Sequence, residues 1–127
     1  MAKLNKDEAL YRESFEKYAS AVKYKEDKYE AYGSWGLALI GLGKLRKEKS
    51  FYEEALRKFE KGIEIRKDDP DIWYFKACAY SLLEEKNNTL ESLKRAIELD
   101  SKFKEIAKKD EDFRDLWNDK DFKKLVE

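Results

Sequence analysis

Residues 70–103 read PDIWYFKACAYSLLEEKNNTLESLKRAIELDSKF, and this stretch decides the fold. It opens on Asp69-Pro70, and a proline at the first helical position loses no hydrogen bond, because that N–H has no partner within the helix anyway. Trp73, Ala77 and Tyr80 then recur at i, i+4 and i+7, and Leu90, Leu93, Ala96 and Ile97 keep the same period further on. Between the two stripes, Asn88 followed by Glu91 has the form of a capping box, in which each side chain satisfies a free N–H at the helix start. Two helices are predicted, over 70–84 and 89–100. They form a hairpin.

The same grammar extends in both directions. Asn5/Glu8, Asp27/Glu30 and Ser50/Glu53 repeat the capping pair. Apolar stripes follow at Tyr11, Phe15, Tyr18 and Val22, and at Ala55, Phe59, Gly62 and Ile63. Helices are predicted over 6–25, 28–42 and 51–66, with Gly41 and Gly43 ending the second. Shorter helices are predicted over 102–109, 111–117 and 119–126, with Asn118 capping the last.

Composition narrows the function classes. The 127 residues are 42% hydrophobic, too apolar for a disordered polyampholyte, and 14% aromatic, which implies a core built largely of rings. Five glycines and one proline leave few of the tight turns a β-sandwich needs. Acids and bases balance at 28 each, so no global field gathers nucleic acid or an anionic membrane. No run reaches the roughly 18 apolar residues of a membrane span. The amino terminus lacks the apolar run of a signal peptide, so a cytoplasmic protein is expected.

No catalytic set assembles from these residues. The chain has no histidine, which removes imidazole-based triads and imidazole metal sites. Cys78 is alone, so it forms no internal disulfide, and between Ala77 and Ala79 it reads as an inert core or groove thiol. Asp110, Asp112 and Asp115 lack the glycine and closing Glu of a calcium loop, and are expected to cap a helix. The stretch ALIGLGKL has Ala38 where a phosphate-binding loop needs glycine and Leu45 where it needs Ser or Thr. Neither an enzyme nor a bound metal or cofactor is expected.

The helices also resemble one another. Trp73, Ala77 and Tyr80 fall at positions 4, 8 and 11 of a unit starting at Pro70, and Thr89, Leu93, Ala96 and Leu99 at positions 20, 24, 27 and 30. This is similar to the 34-residue tetratricopeptide repeat, with small residues where its two helices touch and large ones between units. Tyr32, Trp35, Gly36 and Leu39 match the first helix of a unit starting at Tyr29. Ala55, Phe59, Gly62 and Ile65 match its second once a seven-residue excess in the turn is allowed. Ser14, Tyr18, Ala21 and Tyr24 fit a second helix alone. The resemblance implies an all-α solenoid, an α–α superhelix, in a single domain: a half unit at 5–27, an expanded unit at 28–69, a regular unit at 70–103 and capping helices at 104–127. Phe113, Leu116, Trp117, Phe122 and Leu125 are expected to supply the cap. Departures are Lys76 at position 7 where the upstream unit has Trp35, Thr89 at position 20, and no proline at position 32.

What the resemblance implies about function is a scaffold or adaptor that binds a protein or peptide on its concave face. Positions 2, 5, 9 and 12 would line that face: Glu30, Gly33, Leu37 and Ile40, then Asp71, Tyr74, Cys78 and Ser81. Tyr74 is the expected anchor, pointing outward while Trp73 points into the helix pair; the alternative is that Leu37, Ile40 and Tyr74 are simply core. Families that clamp a partner's carboxylate tail present Lys and Asn where Gly33, Leu37 and Phe75 stand, so that ligand is not expected. Lys44, Arg46, Lys47 and Lys49 make the expanded turn basic, either a solvated loop or a contact for an acidic partner. The alternative is a homo-oligomer whose groove is filled by its own chain or a second copy.

Overall fold

The computed structural model describes residues 6–24 and 28–127. Their elements are α1 Lys6–Tyr24, α2 Lys28–Arg46, α3 Ser50–Ile65, α4 Pro70–Leu82, α5 Lys86–Leu99, α6 Phe103–Lys109, a 3₁₀ helix at Glu111–Leu116, and α7 Lys120–Leu125. No strand occurs among the described residues, so the fold is all-α, built of helical hairpins. The chain divides into two compact units, Met1–Arg66 and Lys67–Glu127.

In the first unit α2 packs against both α1 and α3. Close approach is set by glycine. A Cβ on Gly36 would fall within the Phe59 ring, and Phe59 and Ala55 are fully buried beneath it. Gly41 and Gly43 serve the same end and do not stop the helix, which corrects the sequence expectation. A Cβ would meet Tyr11 Oη at 2.5 Å from Gly41, and Tyr52 Cε1 at 2.6 Å from Gly43. Neither glycine takes the left-handed conformation of a helix stop. α2 therefore continues to Arg46 and is 19 residues long, where its counterpart α4 has 13. The expected long turn shrinks to residues 47–49, with Lys47 at φ 57°.

Ser50 already lies inside α3, and Lys49 before it makes no side-chain cap. Asn5 and Asp27, two other expected caps, lie outside the described residues. Glu8, expected to reach back to Asn5, is instead buried and binds Arg46 Nη1 at 2.5 Å.

In the second unit Asp69 caps α4 as expected, accepting from Asp71 N at 2.9 Å ahead of Pro70. α5 starts three residues early, because Glu84 turns the chain at φ 62°. Asn88 thus sits within the helix and donates to Glu85 Oε1 instead of capping. Ala77, Thr89, Leu93 and Ala96 are fully buried where α4 meets α5. Lys76, the departure at position 7, lays its ammonium 5.1 Å from the Trp73 ring and 5.8 Å from Tyr80, a cation–π contact in place of a packed ring.

The tail closes this unit. Asp110 caps the 3₁₀ helix through Asp112 N, and α7 is capped by Asp119 and not by Asn118. Phe103, Ala107, Phe113, Phe122 and Val126 join Tyr74, Ala77, Cys78, Leu93 and Ala96 in one core. Each large side chain so buried contributes roughly 1.5–3 kcal/mol. Four of these ten residues, Ala107, Phe113, Phe122 and Val126, come from the tail after residue 103. Among the described residues no helix is long and apolar enough to cross a membrane.

Candidate protein-binding face

The positions that the sequence register assigns to a binding face differ in their surroundings on α2 and on α4. On α2, Glu30 is exposed, Leu37 is 42% exposed and Ile40 is buried. A Cβ added at Gly33 would meet no atom within 4 Å. Among the described residues, none covers Gly33 or Leu37 on this face.

On α4 only Asp71, on the first turn, remains exposed. Tyr74, expected as the outward anchor, is 5% exposed, and Cys78 and Ser81 are buried beside it. The reason is the chain's own tail. The Tyr74 ring stacks on Phe103 at 4.6 Å between centroids and meets Phe113 edge-on at 5.6 Å. Its hydroxyl donates to Asp110 Oδ2 at 2.6 Å, and Ser81 Oγ donates to the Asp112 carbonyl at 2.7 Å. Burial, then the neighbouring Cys78 and Asp110, push the phenol well above its ordinary value, so it stays a donor. Trp73 is the more exposed of the pair, with Nε1 donating to the Lys67 carbonyl at 2.9 Å. Tyr74 is therefore core, as the alternative reading had it, while Trp73 packs half-buried against the same core.

Cys78, Asp110 and Asp112 bring one thiol and two carboxylates within 4.8 Å of one another, a donor set that could hold a metal. Asp110 has other duties, however. Oδ2 accepts from Tyr74 and Oδ1 from Asp112 N, so its lone pairs already orient the tail. The trio fits a latch better than a metal centre.

The four basic residues are also dispersed. Lys44 and Arg46 belong to the last turn of α2, and Lys47 and Lys49 to the short connection. Arg46 is engaged by Glu8 and by Glu48, at 2.5 and 3.2 Å, and the Glu8 hydrogen bond raises its pKa further. A guanidinium held this way is a clasp between α1 and α2. Asp110 caps a helix as expected, but sequence reasoning missed that it and Phe103 meet Tyr74, 36 and 29 positions away with no local signal linking them.

With this geometry in place, the comparison with known families is decisive for the second unit. Residues 70–103 match the tetratricopeptide repeat family. The chain contains a tetratricopeptide repeat. Its first helix is α4 and its second α5, with Phe103 its last residue, and the tail that follows lies on the face of α4. No curated protein matches the chain. Tetratricopeptide repeats mediate protein–protein interaction and are generally not catalytic.

Proposed function

We propose that this chain is a non-catalytic scaffold that binds a protein or peptide across the open face of α2, with Leu37 as its apolar contact and Glu30 at its edge. The observation that carries the reading is the contrast between the two units. The tetratricopeptide face on α4 is filled by the tail, whereas the same positions on α2 leave a leucine and an unfilled glycine at the surface. An exposed leucine beside a glycine that keeps the backbone accessible suits a partner side chain that packs closely. Arg46, already paired, is left out of the contact set, and the partner's acidity is not required.

The test compares crosslinked partners of the native chain with those of Leu37→Glu and Gly33→Arg, both at open positions. Loss of the same crosslinked partner in both variants, with unchanged melting, supports the α2 face. Retention in both refutes it. Light scattering on the purified chain addresses the alternative, because a stable dimer that blocks Leu37 makes the chain a self-assembling structural protein.

A further inference from the structure

α2 carries charges of opposite sign at equal distances from its most exposed leucine, Leu37. Glu30 stands seven residues before it and Lys44 seven after, and both are exposed. Seven residues fall about 20° short of two full helical turns, so the three side chains share one stripe. Each charge lies about 10 Å along the axis from Leu37. Gly33 and Gly41 stand four residues to either side of Leu37, on the same side of the helix. Ala31, Gly36, Leu39 and Leu42 are buried on the other side.

This stripe is its own complement. Turned end for end about Leu37, it sets acid on base, base on acid and glycine on glycine. A different protein would need charges opposite to these, but it would impose no such symmetry on them. A two-fold contact does impose it, because residue i of one copy then meets residue j of the other while j meets i. Acids and bases also balance at 28 each, so no net charge drives two copies apart.

We propose that the α2 face pairs with the same face of a second copy of this chain, antiparallel about a two-fold axis at Leu37, with Glu30 of each copy against Lys44 of the other. The inference rests on the α2 face proposed above and names one occupant of it. Leu37 packs on Leu37 at the centre. A Cβ added at Gly33 would meet no atom within 4 Å, and this space faces Gly41 of the other copy with the Tyr11 ring that lies on it. One helix against one helix is a small contact, and exposed ion pairs contribute little each. The pairing is therefore reversible, and a tighter partner for Leu37 displaces the copy.

Sedimentation equilibrium of the full chain, from about 10 µM to about 1 mM, should show monomer and dimer with a Kd below about 1 mM. Glu30→Lys and Lys44→Glu, both at exposed positions and checked for unchanged helix by circular dichroism, should each weaken the dimer about tenfold, roughly 1.4 kcal/mol. An equimolar mixture of the two variants should associate as tightly as the native chain, because each reversed charge then meets an opposite one. Leu37→Glu sets two carboxylates at the axis and should leave a monomer. A native chain that is monomeric at every concentration overturns the proposal. So does a dimer indifferent to both charge reversals, or one that the mixture fails to restore. A monomeric chain whose crosslinked partner is still lost in Leu37→Glu overturns the copy and leaves the α2 face standing.

Discussion

Replacing Tyr74 tests the closed face directly. Tyr74→Phe removes one oxygen and leaves the ring on Phe103. The lost bond is 2.6 Å long and runs to a carboxylate, and such bonds contribute about 1.5–3 kcal/mol. Asp110 is only half-buried and keeps Asp112 N on its other oxygen, so water can replace part of the loss. The low end of that range, about 1.5 kcal/mol, is expected. Tyr74→Ala also removes a ring stacked at 4.6 Å in the core, and aromatic truncations cost about 3–5 kcal/mol. Trp73→Ala should cost less, about 1–2 kcal/mol, because that ring is half-exposed and its N–H bond can be remade with water. Urea denaturation followed by helical circular dichroism gives the three values. A double-mutant cycle of Tyr74→Phe with Asp110→Ala isolates the hydrogen bond, which should couple by about 1 kcal/mol. A Tyr74→Ala chain that unfolds with native stability would refute the closed face and return Tyr74 to the surface.

Other outcomes follow from single contacts. Gly33→Ala should stabilise the first unit by about 0.5–1 kcal/mol, whereas Gly36→Ala should destabilise it by about 1–3 kcal/mol, since only the second Cβ collides with a ring; thermal melting of the pair decides. Arg46→Met should cost more than Glu8→Gln, because it strands a buried carboxylate with Arg12 at 3.7 Å, while a freed Arg46 can rehydrate. Lys86 holds Asp119 and Asp121 at 2.8 and 3.0 Å, and its hydrogen bond lowers the Asp119 pKa below the ordinary 3.8. A carboxyl lowered on folding stabilises above its unfolded pKa and loses that contribution as pH falls through the folded one. The protection factors of tail amides, normalised to intrinsic exchange, should therefore fall below about pH 4, and Lys86→Met should flatten that dependence.

The helices were legible because their evidence is local. Trp73, Ala77 and Tyr80 declare their period within one short segment, and Asp69-Pro70 declares its own start. The misreadings also have local causes. Gly41 and Gly43 carry the signature of a helix stop, but the same absence of a Cβ admits Tyr11 and Tyr52, and a sequence does not say which use is made. Asn88 and Ser50 are good caps standing where the chain had already begun to coil. In both cases the backbone reversal came earlier, at Glu84 and Lys47, through residues that seldom adopt positive φ.

The site was harder to read because repeat register gives a side chain's direction and not what lies there. The register assigns Gly33 and Leu37 to positions 5 and 9 of one unit and Tyr74 and Cys78 to those of the other. On α2 they meet open space at Gly33 and Leu37, and on α4 they meet Phe103 and Asp110, brought back by a tail that caps two of its own short helices with aspartates. Nothing at Tyr74 itself distinguishes an aromatic waiting for a partner from one already stacked on its own chain. The residue that carries the distinction is Asp110. It caps the 3₁₀ helix with one oxygen and takes the Tyr74 proton donor with the other, so the turn that starts the cap is also the one that fastens it. On the tetratricopeptide repeat at 70–103, the chain itself therefore occupies the face that register assigns to Tyr74 and Cys78.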